Sequence, residues 1–379
     1  MASALFLQRA GFDVVLFDQF SEPRPLGSGL LIQPSGQTIL NKLGLLATIR
    51  QRAAPVTRLV GINTANGKRA LDMRYHHLGK DVVALGIHRA SLFDILFDAV
   101  RTAGVAVSTG KVLKGIDVTK NAVSPVFTDG RSDDNFDLLV DATGANAPMT
   151  DGRVSILPFA AFWTTVDMPQ GSTIAAASLD QRYHRASRMA GIMPVGVNPA
   201  TGNQGAALFW SVMPEFAGEM LACGIESWRE QFLDIWPEAS DFVAQVRSVD
   251  DLTLAIYRHR TGNPSPDPRI LRVGDAWHCT SPQLGQGANM ALMDAFAASK
   301  AIEHGEDLAS IAQRYGHFRA EHVRIYQYLS YMFTPLYQSD SRLLPVVRDA
   351  IIHNFAGLPM IRNLIAAVVS GRLGSSQIS

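Results

Sequence analysis

The sequence predicts an α/β fold, and three stretches of its 379 residues carry that prediction. Residues 1–18 read as a helix, a glycine, an apolar strand and an acidic residue. Residues 269–302 read as a buried strand, a loop, a Gly-x-Gly and a long helix. Residues 154–213, between them, run or alternate apolar at strand length, with Gly, Pro, Asn and Asp turns. The first two patterns suit parallel strands joined by helices, and the third suits an antiparallel sheet.

The N-terminal stretch is MASALFLQRAGFDVVLFDQF. Ala4, Leu5, Leu7 and Ala10 form a helical stripe, and Gly11 ends it in the C-cap position. Val14, Val15, Leu16 and Phe17 form a continuous apolar run, which predicts a strand buried on both faces. Asp18 closes that strand. The order is that of the second half of a βαβ unit, where such an acidic residue hydrogen-bonds the adenosine ribose of a dinucleotide. A first strand and a glycine-rich turn, whose N–H groups approach the pyrophosphate, are expected before the helix. The expectation is therefore a Rossmann-like domain with its first strand missing from the sequence as given, and a native start roughly two dozen residues upstream, the length of one strand and turn.

Bulk properties narrow the function. Lys+Arg and Asp+Glu balance at 34 each, so no basic field draws nucleic acid. The two cysteines, Cys223 and Cys279, have no metal-like spacing and make no disulfide framework, so no metal is expected and a reducing cytoplasm fits. No signal sequence and no spanning apolar run is evident.

Further elements follow in order. In residues 24–45, Gly27 and Gly29 predict irregular backbone, and Pro34-Ser35 precede an amphipathic helix. Residues 56–75 predict a hairpin with Asn66-Gly67 as a type I′ turn. Residues 82–87 predict a short strand. Arg89 then opens a helix carrying Leu92, Ile95 and Leu96 on one face, where a guanidinium can pair with phosphate. Leu138–Val140 predict a buried strand ending near Gly144. Residues 225–248 predict amphipathic helix. The strand at Ile270–Val273 ends in Gly274-Asp275, a loop contains Pro282, and Gly285-Gln286-Gly287 open a helix over Ala288–Ile302. Asp275 stands at the carboxyl end of a parallel strand, where open α/β sheets bind ligands. Gly285 and Gly287 let a flat ligand approach the backbone, and the helix start presents free N–H groups.

With these residues in place, the chain resembles the FAD-dependent aromatic hydroxylases, the para-hydroxybenzoate hydroxylase-like group A flavoprotein monooxygenases. The second FAD motif of that family is matched by Gly274, Asp275, Ala276, His278, Pro282, Gly285, Gln286, Gly287, Asn289, Ala291, Asp294 and Ala295. The resemblance covers roughly residues 1–330. It implies that Asp275 holds the ribityl chain and that the amides of Ala288 and Asn289 face the flavin C2=O. It also implies that Arg89, in an Arg-x-x-Leu with Leu92, contacts FAD. The set of residues implied or read as cofactor-binding is Asp18, Arg89, Gly274, Asp275, Pro282, Gly285, Gly287, Ala288 and Asn289. His278 is implied to be a structural loop residue and Asp294 to fix the helix. One motif departs. Where the family has Gly-Ala-Asp-Gly followed by Ser and Arg, this chain has Thr143 for the Asp, Ala147 for the Ser and Thr150 for the Arg. That motif is associated with FAD and nicotinamide contacts.

The resemblance implies FAD as cofactor and NADPH or NADH as co-substrate. The implied reaction transfers oxygen from dioxygen to an electron-rich aromatic or related lipophilic small molecule. No catalytic base is evident; Tyr183, His184 and Trp210 are weak pocket candidates, each read more readily as ordinary surface or core. Two alternatives stand: a same-fold flavoenzyme of other chemistry, halogenase-like or a reductase, or a truncated copy unable to bind FAD. The expected organisation is a discontinuous FAD domain (1–54, 84–152, 268–312) and a β-sheet substrate domain (55–83, 153–267). A helical region (313–379) completes it. Aromatics along residues 315–337 are expected to pack internally. The last segment is expected to dock on its own protein, with a homodimer or a peripheral membrane contact as the other options. The tail 375–379 is expected to fray.

Overall fold

The computed structural model describes residues 1–24, 27–132, 134–148, 154–355 and 358–374, without the side chains of 352–355. Thr150 and the 375–379 tail therefore lie outside the described residues.

The first segment supplies α1 (Ala2–Arg9), β1 (Val15–Phe17), β2 (Gly29–Ile32), α2 (Pro34–Lys42) and α3 (Leu46–Arg52). Gly11 takes φ +88°, the left-handed conformation that stops α1. Pro34 occupies the first turn of α2, where its missing N–H costs nothing. Next come β3 (Ala54–Val56), β4 (Arg58–Asn63), β5 (Arg69–Arg74), β6 (Ala84–His88) and α4 (Arg89–Thr102). His88 caps α4, its Nδ1 accepting from the Ala90 N–H. Short strands follow: β7 (Ala106–Ser108), β8 (Leu113–Val118), β9 (Val123–Phe127), β10 (Gly130–Arg131) and β11 (Leu139–Asp141).

The middle holds the long strands β12 (Ser155–Asp167), β13 (Ser178–His184), β14 (Arg188–Val197) and β15 (Gln204–Val212). After them come α5 (Pro214–Ala222), α6 (Gly224–Ile235), α7 (Ser240–Val243) and β16 (Thr253–Thr261). The chain ends with β17 (Ile270–Arg272), β18 (His278–Cys279), α8 (Gly287–His304), α9 (Leu308–Tyr337), α10 (Leu344–Phe355) and α11 (Pro359–Val369).

Two parallel pairs are formed, β1 with β7 and β11 with β17. The main sheet has eight strands in the order β18-β16-β12-β15-β14-β13-β4-β5. It is antiparallel except at β13–β4, where Ser178 to Tyr183 run parallel to Arg58 to Asn63. A three-stranded antiparallel sheet, β2-β6-β3, lies against it. One core packs α1, α2, α4 and α8 around Ile32, Leu40, Leu96 and Met293. A second packs α6 and α7 on one face of the main sheet, around Trp210, Trp228, Phe232 and Trp236. A third lies between the β2-β6-β3 sheet, the main sheet and the C-terminal helices.

Several expectations are corrected. Residues 14–17 are half-buried rather than buried on both faces. The turn between β4 and β5 is not a two-residue type I′ turn. Only Gly67 has positive φ, and the Asn63 C=O accepts from both Asn66 and Gly67 N–H. The cause is Asn63, whose side-chain oxygen accepts from Ala65 N–H while its Nδ2 donates to Asp349. Gly29 lies in regular strand, and its need for glycine is spatial: a Cβ there would meet Val195 at 2.3 Å. Tyr183 and Trp210, by contrast, are core residues at 1% exposure, in line with the reading preferred for them from the sequence.

The two sheets meet through glycine. A Cβ on Gly86 of β6 would sit 1.9 Å from the Pro194 carbonyl oxygen of β14. Gly86→Ala is expected to cost about 1–3 kcal/mol by forcing the sheets apart. Gly115→Ala, whose new Cβ would touch nothing nearer than Val126 at 3.9 Å, is expected to stay within about 0.5 kcal/mol of the unmodified chain. Denaturant unfolding of both variants checks this; equal stabilities would refute it.

Candidate active site

The site grows from the end of β17. Gly274 takes φ +57°, and a Cβ there would press on the Ala291 Cβ of α8 at 3.0 Å. Only glycine lets the strand turn this close to the helix. The Gly274 N–H donates to Asp294 Oδ2 at 2.7 Å. Asp294, on α8, has no exposed surface. Its Oδ2 also lies 2.7 Å from His278 Nε2, and its Oδ1 accepts from Arg319 Nε of α9 at 2.6 Å. Burial opposes the charged form, but the charges and hydrogen bonds of His278 and Arg319 outweigh it. They hold the Asp294 carboxyl well below the usual carboxylate range. One carboxylate thus ties β17, β18, α8 and α9 together. The implied structural roles of His278 and Asp294 match this geometry.

Asp275 follows Gly274 and points the other way. Its side chain is reached by solvent, yet it sits deep among protein atoms. That crowding raises its carboxyl above the usual value, against the lowering pull of His278, Arg89 and Arg260. Its main chain is held by Arg260, a buried residue of β16 whose Nη2 donates to the carbonyls of Asp275 and Gly144.

The loop before α8 is fixed as firmly. Pro282 begins a single 3-10 turn, and Gly285 ends it at φ +59°. Helix α8 starts at Gly287, one residue before the expected Ala288, and no side chain caps it. Its first N–H groups are left for a ligand or water. A Cβ on Gly287 would meet nothing within 4 Å, so the surface outside this loop is open. Asn289 turns inward. Its Oδ1 accepts from Gln33 N–H at 2.8 Å, and its Nδ2 donates to the Leu31 and Gly285 carbonyls, each at 3.0 Å. It joins β2 to the loop, and a Cβ on Gly36 would collide with it.

The remaining expected site residues lie on other elements, and of them Arg89 acts on Asp275. Arg89 is exposed at the start of α4, its guanidinium 3.4 Å from where a Gly27 Cβ would lie. Asp18 stands at the end of β1, its Oδ1 accepting from Phe20 N–H. Thr143, in place of the family's Asp, donates to Asp141 Oδ1 at 2.6 Å. Asp141 is itself buried, 3.8 Å from Arg272 Nε. The carboxylate of this segment lies two residues earlier than in the family motif and faces inward. Two further residues, Arg319 and Tyr75, carried no signal in the sequence. Arg319 pairs with Asp294 from 25 residues away. Tyr75 donates through its hydroxyl to buried Gln33 at 2.6 Å, and burial raises its phenol well above the usual range.

These features fit FAD. Asp275 is an accessible acceptor at the carboxyl end of a parallel strand, Gly285 and Gly287 leave the backbone bare, and an uncapped helix start adjoins them. The comparisons agree. A family model described as FAD binding domain matches residues 1–324, and the chain belongs to that family. Its relatives include the putative FAD-dependent monooxygenase YetM of Bacillus subtilis (strain 168). That protein is 22% identical over 87% of this chain and 89% of its own length. The 3-hydroxybenzoate 6-hydroxylase of Klebsiella oxytoca is 25% identical over 79% of this chain and 76% of its own. Klebsiella pneumoniae HpxO, solved with FAD and uric acid, superposes with a TM-score of 0.80 at 18% identity. It covers 98% of this chain and 94% of that one. The tetrameric form of 2-methyl-3-hydroxypyridine-5-carboxylic acid oxygenase gives 0.78 at 16% identity, over 100% and 94%. The chain is an enzyme of the FAD-dependent monooxygenase and hydroxylase family, with FAD as its cofactor.

Asp294→Asn is expected to lose about 3–5 kcal/mol, because it leaves the Arg319 charge buried without its partner. The depressed folded-state value gives the sign of the pH dependence. The stabilisation is complete above the unfolded carboxyl value of about 4 and is lost as pH falls below it. Denaturant midpoints between about pH 6 and pH 3 should fall more steeply for the unmodified chain than for Asp294→Asn. Parallel curves would refute the assignment.

Proposed function

We propose that this chain hydroxylates an electron-rich aromatic or heteroaromatic small molecule, using NAD(P)H and dioxygen. One substrate C–H becomes C–OH, the second oxygen atom leaves as water, and NAD(P)H supplies the electron pair. Bound FAD supplies the redox chemistry between the nicotinamide, dioxygen and the ring. The observation that carries the reading is the accessible Asp275 beside the bare, uncapped loop 285–289.

The residues take these roles in the proposal. Asp275 accepts from ribityl hydroxyls, and Gly274 and Pro282 set the turns that aim it. Gly285 and Gly287 let the ring lie on the backbone. The N–H groups of Ala288 and Asn289 donate to the pyrimidine edge, where negative charge gathers on reduction. Arg89 neutralises phosphate, and Asp18 accepts from the adenosine ribose. Leu31 approaches Gly285 from β2, and behind it Met193, Val195 and Phe209 belong to the buried core between the two sheets. The substrate class is carried over from relatives named for urate and 3-hydroxybenzoate. The packing of α1 on α8, with β1 parallel to β7, supports reading α1–β1 as the second half of a βαβ unit. The FAD, substrate-sheet and helical divisions proposed from the sequence are kept.

Thr143 favours a second reading, a flavoenzyme of the same fold that spends its reducing power on other chemistry. Oxygen uptake with NADH and NADPH across a panel of phenols and hydroxylated heteroaromatics separates the two. The proposal expects a panel member to stimulate uptake and to appear as its hydroxylated product by mass spectrometry. Steady NAD(P)H oxidation yielding only peroxide or a reduced substrate would overturn it. Asp275→Ala is expected to weaken FAD binding by about tenfold or more, the worth of one or two charge-assisted hydrogen bonds. Unchanged flavin fluorescence titrations would remove Asp275 from the site.

A further inference from the structure

The C-terminal helices wear their polarity inside out. On α10, Arg348 and Asp349 are buried at 2% and 1% exposure, while Val346, Val347 and Ile351, with Leu343 just before the helix, face solvent. Arg348 lies between the rings of Tyr183 and Tyr337, and Asp349 accepts from Asn63 and Asn66. These contacts fix which side of α10 faces out. The outer side of α9 presents Tyr328, Tyr331 and Met332, and the start of α11 presents Leu358, Met360 and Leu364. Met360 is 81% exposed and Tyr331 72%. Internal packing, expected for the aromatics of residues 315–337, holds for Tyr315, Tyr326 and Tyr337 but not for Tyr328 and Tyr331. Exposed apolar side chains gathered on three successive C-terminal helices mark an interaction surface.

We propose that the covering partner is an anionic lipid surface. Charge selects it. Arg324 and Arg342 are exposed on this face and Arg362 is half-buried within it. Across residues 321–374 the acids are Glu321, Asp340 and Asp349, the last of them spent inside, against five arginines, Arg324, Arg342, Arg348, Arg362 and Arg372. The neighbouring turn adds Arg74, His76 and His77, and Arg362 and Arg74 both act on His77. Asp72, the nearest acid there, is shared among Arg58, Arg69 and Arg74. A two-fold contact with a second copy would set these basic rims against each other. A membrane surface with acidic headgroups instead takes the arginines at headgroup level, the tyrosines at the interface and the aliphatic chains below it. Among the described residues no helix is long and apolar enough to cross a membrane, so the contact is peripheral.

The far end of α11 ties this surface to the cofactor loop. Gln286 Nε2 donates to the Val369 carbonyl, Tyr326 donates to Val368, and Ser35 N–H donates to Ser370. Docking through the start of α11 therefore sets the loop 285–289 near lipid, where lipophilic substrates concentrate. The inference stands whatever reaction the flavin performs.

The test is co-sedimentation of the full chain with phosphatidylcholine vesicles, with and without about one-third phosphatidylglycerol. Binding to the anionic vesicles, weakened about tenfold or more by raising salt from about 50 to 500 mM, is expected. A comparable loss is expected in the double variant Ile351→Ser, Met360→Ser, both at exposed positions, and its flavin titration and unfolding midpoint should not change. Sedimentation with neither vesicle, or equally with both at either salt, would overturn the proposal. So would a stable oligomer that the double variant converts to a monomer.

Discussion

Asp294 is a carboxylate without exposed surface, and the cofactor loop depends on its staying charged. Taking such a group out of water costs several kcal/mol, which is offset only when its oxygens are filled by donors of the right charge. Arg319 fills one, and His278 with the Gly274 amide fill the other. Each donor comes from a different element. The strand turn, the loop after it and helix α9 are thereby indexed to α8. Gly274 can approach α8 only because it lacks a Cβ, so the electrostatic and steric requirements reinforce each other.

A second weld repeats the principle with a neutral group. The Asn289 amide uses both ends, accepting from Gln33 and donating to Leu31 and Gly285. The β2-β6-β3 sheet and the loop move as one body in consequence. The main sheet is then set against β6 by Gly86, and against β2 by Gly29, with no room for a side chain at either point. Thus the core between the two sheets has a fixed relation to the bare loop 285–289. Preorganisation of this kind is what a flavoenzyme contributes beyond its cofactor.

Much of this was legible in the sequence, for physical reasons. The stretch from Gly274 to Asn289 is local: strand, turn and helix start within some twenty residues, each with its own residue signature. Long alternating strands betrayed the antiparallel sheet in the same way. Long-range partners were not legible. Nothing in the run around Arg319 distinguishes a buried counter-ion from a solvated helix charge, and Tyr75 lies in a turn whose neighbours are two histidines. The Asn66-Gly67 turn misled because Asn63 had a stronger use for its amide, and a tertiary bond to Asp349 overrode local turn preference. Gly29 was recognised as special for the wrong reason; it relieves a collision with Val195 rather than permitting unusual backbone.

The most direct test of this account is the FAD dissociation constant of Asp294→Asn, measured by flavin fluorescence where the variant remains folded. If the buried carboxylate organises the loop, affinity falls by about tenfold or more although the residue has no surface through which to touch the flavin. Affinity equal to that of the unmodified chain, in a folded variant, would show that the loop holds its shape without Asp294 and would contradict the account.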